Sequence, residues 1–188
     1  SRSDSEHPLE CPWVIYSGDA LCRDWSQKIQ PICPPLSTVE SFWSTFNHVP
    51  LPGSCFYNGR TRSCVGPGKK VFDEMSMFKA GIKPEWEDPK NARGGMLFSR
   101  KSMDPDQLNK YWLDICLSLV GSALPASVNG VRVADKGKQD RTMYVVQLWL
   151  DTSDKEEVEK CKREFEGVIK RAGSWKKNLD GIDFKKHK

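Results

Sequence analysis

The chain has 188 residues, of which 38% are hydrophobic and 29% charged, with a formal net charge of +4. That length suits one domain with a substantial core, and the composition excludes wholesale disorder. A charge of +4 is too small for extended duplex binding, where several phosphates are neutralised together, and suits a ligand with few phosphates.

No apolar run approaches a membrane span or a secretory leader, so the chain reads as soluble and intracellular. The seven cysteines sit at irregular positions with no Cys-x-x-Cys pair. Neither a zinc site nor a disulfide framework is expected, and no metal or cofactor.

Trp13–Ser17 is the first strand-like run. Trp25 follows among polar and charged neighbours, a poor setting for a fully buried indole. Ser37-Thr38-Val39-Glu40 is a capping box, and Val39, Phe42, Trp43 and Phe46 continue at helical spacing. Cys55–Tyr57 reads as a short strand inside a glycine-bearing loop, 51–70, that carries Arg60, Arg62, Lys69 and Lys70. Met75–Phe78 and Met96–Ser99 are further strands.

Asp104-Pro105-Asp106-Gln107 starts a long helix that ends at Gly121. Its main apolar face is Leu108, Trp112, Ile115, Cys116 and Leu119, with Tyr111 at the margin. Leu113, Leu117 and Val120 form a second stripe, which packs on a neighbouring helix or stays available for a partner. Ser127–Val133 and Thr142–Leu150 are strands, and Ser153-Asp154-Lys155-Glu156 caps a helix running through Val158, Cys161, Phe165, Val168, Ile169 and Ala172 to Gly173. Gly181–Phe184 is the last strand. Strands grouped around three separated helices without regular βαβ spacing predict an α+β fold with a mostly antiparallel sheet.

The candidate site starts at Trp86-Glu87, where a stacking plane adjoins a bidentate acceptor in a turn-rich context. Guanine offers two flat faces and two neighbouring N–H donors, so this pair can grip it by face and by edge, with another tryptophan on the opposite face. In Thr142–Leu150, alternation sets Tyr144, Val146, Leu148 and Leu150 toward a core, and Gln147 with Trp149 toward a possible groove. Arg132 projects opposite Val131 and Val133. The hairpin that follows, with Lys136, Lys138 and Arg141, suits phosphate binding or is a solubilising tip. A metal-dependent hydrolase would need a carboxylate cluster, and no Glu-rich helix of that kind occurs.

The chain resembles the eukaryotic translation initiation factor 4E family of messenger RNA cap-binding proteins. The matching pieces are His7-Pro8-Leu9 with Trp13; Thr38 to Trp43 with Phe46-Asn47-His48; Gly81 to Asp88; Lys90-Asn91 with Arg93-Gly94-Gly95; Tyr111 to Asp114; and Asn129 to Val133. They occur in family order. The resemblance implies a single domain, 7–184, between short tails at 1–6 and 185–188. It implies a curved, mostly antiparallel sheet backed by three α-helices, with the ligand on the concave face, and a monomer without enzymatic activity.

By the same resemblance Trp25 and Trp86 stack on the 7-methylguanosine cap, Glu87 binds the guanine N1 and N2 hydrogens, and Trp149 lies against the methyl group. Arg132 with Lys136 or Lys138 holds the phosphates. Pro8, Val39, Trp43, Leu113, Asp114, Leu117 and Gly121 match a dorsal patch for a helical Tyr-x-x-x-x-Leu-hydrophobic motif, found in scaffold factor 4G and in 4E-binding repressors. The implied role is translation initiation on capped messenger RNA; the alternative is a cap-binding repressor that sequesters messages without productive scaffold recruitment.

The chain departs from the family at Met96-Leu97, where a basic residue and then an aromatic one are usual. The loops at 51–70 and between Arg132 and Trp149 are longer than usual. These departures suggest a divergent paralogue or an early-branching source, with the 51–70 loop either reaching further nucleotides or mobile. No ligand contact is expected beyond Lys176.

Overall fold

The computed structural model describes residues 6–171 and 181–187, except for the side chain of Trp25. One antiparallel sheet organises it: β1 (Pro8–Asp19), β2 (Ile29–Pro31), β3 (Leu36–Thr38), β4 (Cys64–Val65), β5 (Lys70–Lys79), β6 (Gly95–Lys101), β7 (Val128–Asp135), β8 (Tyr144–Leu150) and β9 (Asp183–Lys186). The order is β2-β1-β5-β7-β8-β6-β9, with β3 on β1 and β4 on β5. The sheet is curved and does not close, matching the α+β expectation.

Three long helices cover one face: α2 (Val39–Phe46), α5 (Pro105–Val120) and α6 (Lys155–Arg171). Three single turns, α1 (Trp25–Lys28), α3 (Pro52–Cys55) and α4 (Pro89–Ala92), join them in chain order. The helical periodicities are realised closely. Leu108, Tyr111, Trp112, Ile115, Cys116 and Leu119 of α5 are buried, as are Val158, Cys161, Phe165, Val168 and Ile169 of α6. They pack on Ile15, Met75, Met77, Val131, Val133, Tyr144, Val146 and Leu148, the alternating residues on one side of the sheet. The end of α6 expected at Ala172 and Gly173 lies outside the described residues, as do Trp175 and Lys176.

Two caps differ from their expected form. Thr38, one residue later than expected, caps α2, which places Ser41 at the reciprocal position; Glu40 is instead engaged by His7 at 2.6 Å. Asp154 caps α6, accepting from Glu157 N–H at 3.0 Å. Both remain one-turn solutions to unpaired amide donors.

The expected strand at Cys55–Tyr57 is not formed, since Cys55 closes α3. Gly53 N–H donates to Asn109 Oδ1 at 2.7 Å, and Gly53 lies against the Pro105 carbonyl, where a side chain would collide. The start of the long 51–70 loop is therefore docked on α5 through α3. Arg62 of the same loop pairs with the buried Asp135 carboxylate at 2.7 Å and lies over the Tyr57 ring. The C-terminal tail expected at 185–188 also differs. Lys185 and Lys186 belong to β9, paired with Met96 and Gly95, and His187 is buried. Phe184 explains the anchoring: it packs against the main core from the sheet edge.

Candidate functional site

The sheet's other face carries a second, smaller apolar cluster of Phe78, Ile82 and Trp149, with Tyr16 and Met96 beside it. Above it opens a cavity of about 720 Å³, a size that fits a small-molecule ligand. Its walls come from α1, β5, the 84–87 turn, β6, β7, β8 and the β9 end. Trp86 and Glu87 form part of the rim, and Trp86 is 53% exposed. An indole so exposed gains little from packing within its own chain.

The turn bearing these two residues is held from beneath. The buried Asn91 side chain donates to the Lys83 and Glu85 carbonyls, each at 2.8 Å. Asn129 Nδ2 donates to Asn91 Oδ1 at 2.9 Å. Asp88 caps α4 through Lys90 N–H and also accepts from Lys83 N–H, both at 2.9 Å. The turn is thus tied to β7 through buried amides, and Trp86 is presented on a supported backbone.

Trp149 walls the cavity, its ring 5.5 Å from Phe78 at 80° and its Nε1–H donating to Gln147 Oε1 at 3.2 Å. Arg132 reaches the cavity from β7, as alternation predicts. Its guanidinium is already engaged: Nη2 donates to the Glu74 carboxylate, and Nη1 donates to Gln147 Oε1 at 3.2 Å. The Glu74 side chain is only 4% exposed, so this partner stays close to Arg132 in a weakly screened setting.

Trp25 opens α1, capped by Asp24; its side chain lies outside the described residues, though Ser26 and Ile29 line the cavity. Lys136 and Lys138 are exposed on the β7–β8 hairpin and are not among the lining residues described. Met96, Glu74, Lys185, Lys186 and His187 do line the cavity. Of these, Met96 stands out in the sequence as a departure from the family pattern, while Lys185, Lys186 and His187 read there only as part of a C-terminal tail. Glu74 had a signal, a carboxylate one residue ahead of the apolar run Met75–Phe78. The strand expected at Gly181–Phe184 forms two residues later, as β9, and nothing local announces that its end pairs with β6 and reaches the cavity.

The second surface lies on the helical side. Val39 and Trp43 of α2 are 39% and 38% exposed, while Leu113, Asp114 and Leu117 of α5 are half-buried. Pro8 is set beside them by its pairing with Thr38, and the His7 carbonyl accepts from Val39 N–H at 2.8 Å. Ser122, next to Gly121, donates to Glu10, which joins the end of α5 to the same strand. The hydrogen bonds that His7 makes by ring and backbone hold the Glu40 carboxyl down to about 2. All seven cysteines are free. Burial pushes the Cys55 thiol up to about 11 and also holds Cys116 well above the usual thiol range, so neither is a reactive thiolate. Among the described residues no helix is long and apolar enough to cross a membrane.

The family model for Eukaryotic initiation factor 4E matches residues 8–188. A eukaryotic translation initiation factor 4E from Aplysia californica is 30% identical over 161 residues, covering 82% of this chain and 66% of the relative. The Homo sapiens protein of that name is 28% identical over 158 residues, covering 81% and 64%. The chain spans somewhat less than two thirds of these curated relatives. Among solved structures, C. elegans eIF4E-3 in complex with the 4E-binding protein Mextli superimposes with a TM-score of 0.73 at 23% identity, covering 97% of this chain and 94% of that one. Ascaris suum eIF4E-3 with an m2,2,7G cap gives 0.72 at 24% identity, covering 98% and 93%. These structures share the fold, and the low identities accord with a divergent member.

Proposed function

The chain belongs to the eukaryotic initiation factor 4E family, and from that premise we propose that it binds the 7-methylguanosine cap of messenger RNA as a non-enzymatic factor in translation initiation. The observation carrying this reading is Trp86, an exposed indole beside a carboxylate on the rim of a cavity walled by Trp149. Trp86 and Trp25 would enclose the base, Glu87 would accept from guanine N1 and N2, and Trp149 would meet the methyl group. The Trp86 N–H, which has no acceptor among the described residues, is available for guanine O6.

Methylation at N7 gives guanine a positive charge. Stacking contributes roughly 1–3 kcal/mol per base, and a desolvated cation–π contact adds about 2 kcal/mol. Two indole planes therefore favour the methylated base by tens to hundreds of fold. Glu87 adds selectivity, since adenine lacks the donor pair and leaves the carboxylate unmatched.

The exposed Val39 and Trp43 of α2, together with the half-buried Leu113 and Leu117 of α5, are the proposed docking surface for a helix carrying the Tyr-x-x-x-x-Leu-hydrophobic motif. Scaffold factor 4G and 4E-binding proteins are the partners proposed for it. The whole chain would act as one domain.

Tryptophan fluorescence titrated with 7-methylguanosine triphosphate and with guanosine triphosphate tests the reading. Quenching is expected at much lower concentration for the methylated compound; equal quenching by both would overturn it.

A further inference from the structure

The phosphates of a nucleotide in this cavity need a cation with charge to spare, and the expected suppliers do not meet that need. Arg132 is bound by the buried Glu74 carboxylate and by Gln147. The guanidinium therefore enters the cavity with its charge largely balanced. Lys136 and Lys138 stand outside the lining, on a hairpin whose backbone is closed by the Lys138–Arg141 pairing. The position adjoining Gly95 is Met96, which carries no charge.

A row of residues crosses three strands on the cavity face: Trp149 on β8 is opposite Met96 on β6, and Met96 is opposite Lys185 on β9. Directly paired residues send their side chains to the same face. Neighbouring strands lie about 4.8 Å apart, which puts Lys185 roughly 10 Å from the Trp149 backbone. A base against Trp149 would therefore have its phosphates within reach of a lysine stem lying over Met96. Lys185 is exposed, lines the cavity and forms no ion pair among the described residues, even with Asp183 on the same side of its strand.

We infer that Lys185, projecting from the C-terminal strand beside Met96, is the residue that holds the ligand's phosphates, in place of the β7–β8 hairpin lysines; this rests on the nucleotide reading of the cavity. Lys186 reaches the rim from the opposite side of the pleat, and single variants separate the two.

The test is fluorescence titration of the parent protein and variants with 7-methylguanosine and with 7-methylguanosine triphosphate, at two salt concentrations. Lys185→Ala is expected to weaken the triphosphate about tenfold, the scale of one charge-assisted hydrogen bond, while the nucleoside binds as in the parent. Lys185→Arg should retain most of the affinity, and Lys185→Glu should lose more than Lys185→Ala. Lys185→Ala should also flatten the salt dependence of triphosphate binding. An unchanged triphosphate affinity in Lys185→Ala overturns the assignment. So does a loss that follows Lys186→Ala, or the Lys136→Ala and Lys138→Ala pair, instead. Absence of quenching by either compound in the parent overturns the nucleotide reading and this assignment with it.

Discussion

His187 Nδ1 lies 2.8 Å from the backbone carbonyl oxygen of Asn91, so the last residue described on the C-terminal side is fastened to the helical turn behind Trp86 and Glu87. The carbonyl can only accept, which puts the imidazole proton on Nδ1. The same imidazole lies 4.6 Å from the Trp149 indole, inclined at 54°. One buried asparagine thus joins the rim turn, β7 and the C-terminal strand, the parts that enclose the cavity.

Asn91→Ala should therefore harm both stability and binding. It strips the Lys83 and Glu85 carbonyls of their donor and leaves Asn129 Nδ2 without the Asn91 oxygen. A loss of about 2–4 kcal/mol is expected, measurable by urea unfolding, with weaker ligand quenching at temperatures where the variant remains folded. Asn91→Asp, which replaces the donor by an acceptor facing two carbonyls, should be at least as damaging.

Trp86→Ala and Trp25→Ala should each abolish retention on a methylated-cap resin while leaving the unfolding transition nearly unchanged for Trp86, which is already half exposed. Glu87→Ala should keep the stacking yet lose discrimination between methylated guanine and methylated adenine analogues. Retention of either tryptophan variant at the parent's level would remove the proposed sandwich.

Glu74→Gln separates folding from binding. Removing the carboxylate leaves Arg132 without its charged partner and should cost about 1–3 kcal/mol, moderated because the arginine side chain is 24% exposed. The freed guanidinium should at the same time raise the preference for 7-methylguanosine triphosphate over the nucleoside. Thermal unfolding and paired titrations read the two effects, and a fall in both would mean that Glu74 only supports the fold.

Alkaline pH should unfold the protein through Tyr144. Its hydroxyl donates to the Tyr57 carbonyl at 2.7 Å. Burial, with the Asp135 charge behind it, pushes its pKa up to about 12 from 10. A phenol held neutral in the folded state contributes stability that is complete below pH 10 and is lost as pH rises through about 12. Tyr144→Phe should cost about 1 kcal/mol at neutral pH for the missing hydrogen bond, and should weaken the pH dependence of unfolding between pH 10 and 12.

Trp43→Ala should spare nucleotide binding and abolish capture of a Tyr-x-x-x-x-Leu-hydrophobic peptide. Trp43 is 38% exposed and sits at the margin of the core against Phe42 and Phe46. Its removal should lower stability by no more than about 1–2 kcal/mol, while peptide affinity falls by at least about 2 kcal/mol. Isothermal titration with peptide and with 7-methylguanosine triphosphate distinguishes a lost anchor from a general folding defect.

Local pattern was enough for the long helices, the main strands and their faces, though not for the short elements such as α3, which replaces the strand expected at Cys55–Tyr57. The 3.6-residue spacing of α5 named its buried side, the two-residue alternation of β8 separated Leu148 from Trp149, and the adjacency of Trp86 and Glu87 marked the rim of the cavity. These properties depend on residues a few positions apart, whose relative directions the helix and strand geometries dictate. The electrostatics of the cavity were decided only in three dimensions. Arg132 meets Glu74 across 58 positions of chain, and Met96 meets Lys185 by a register that forms when β9 closes the sheet edge. Register between distant strands is set by the packing of the whole sheet, so the charges available to a ligand follow from tertiary contacts that no short stretch of sequence contains.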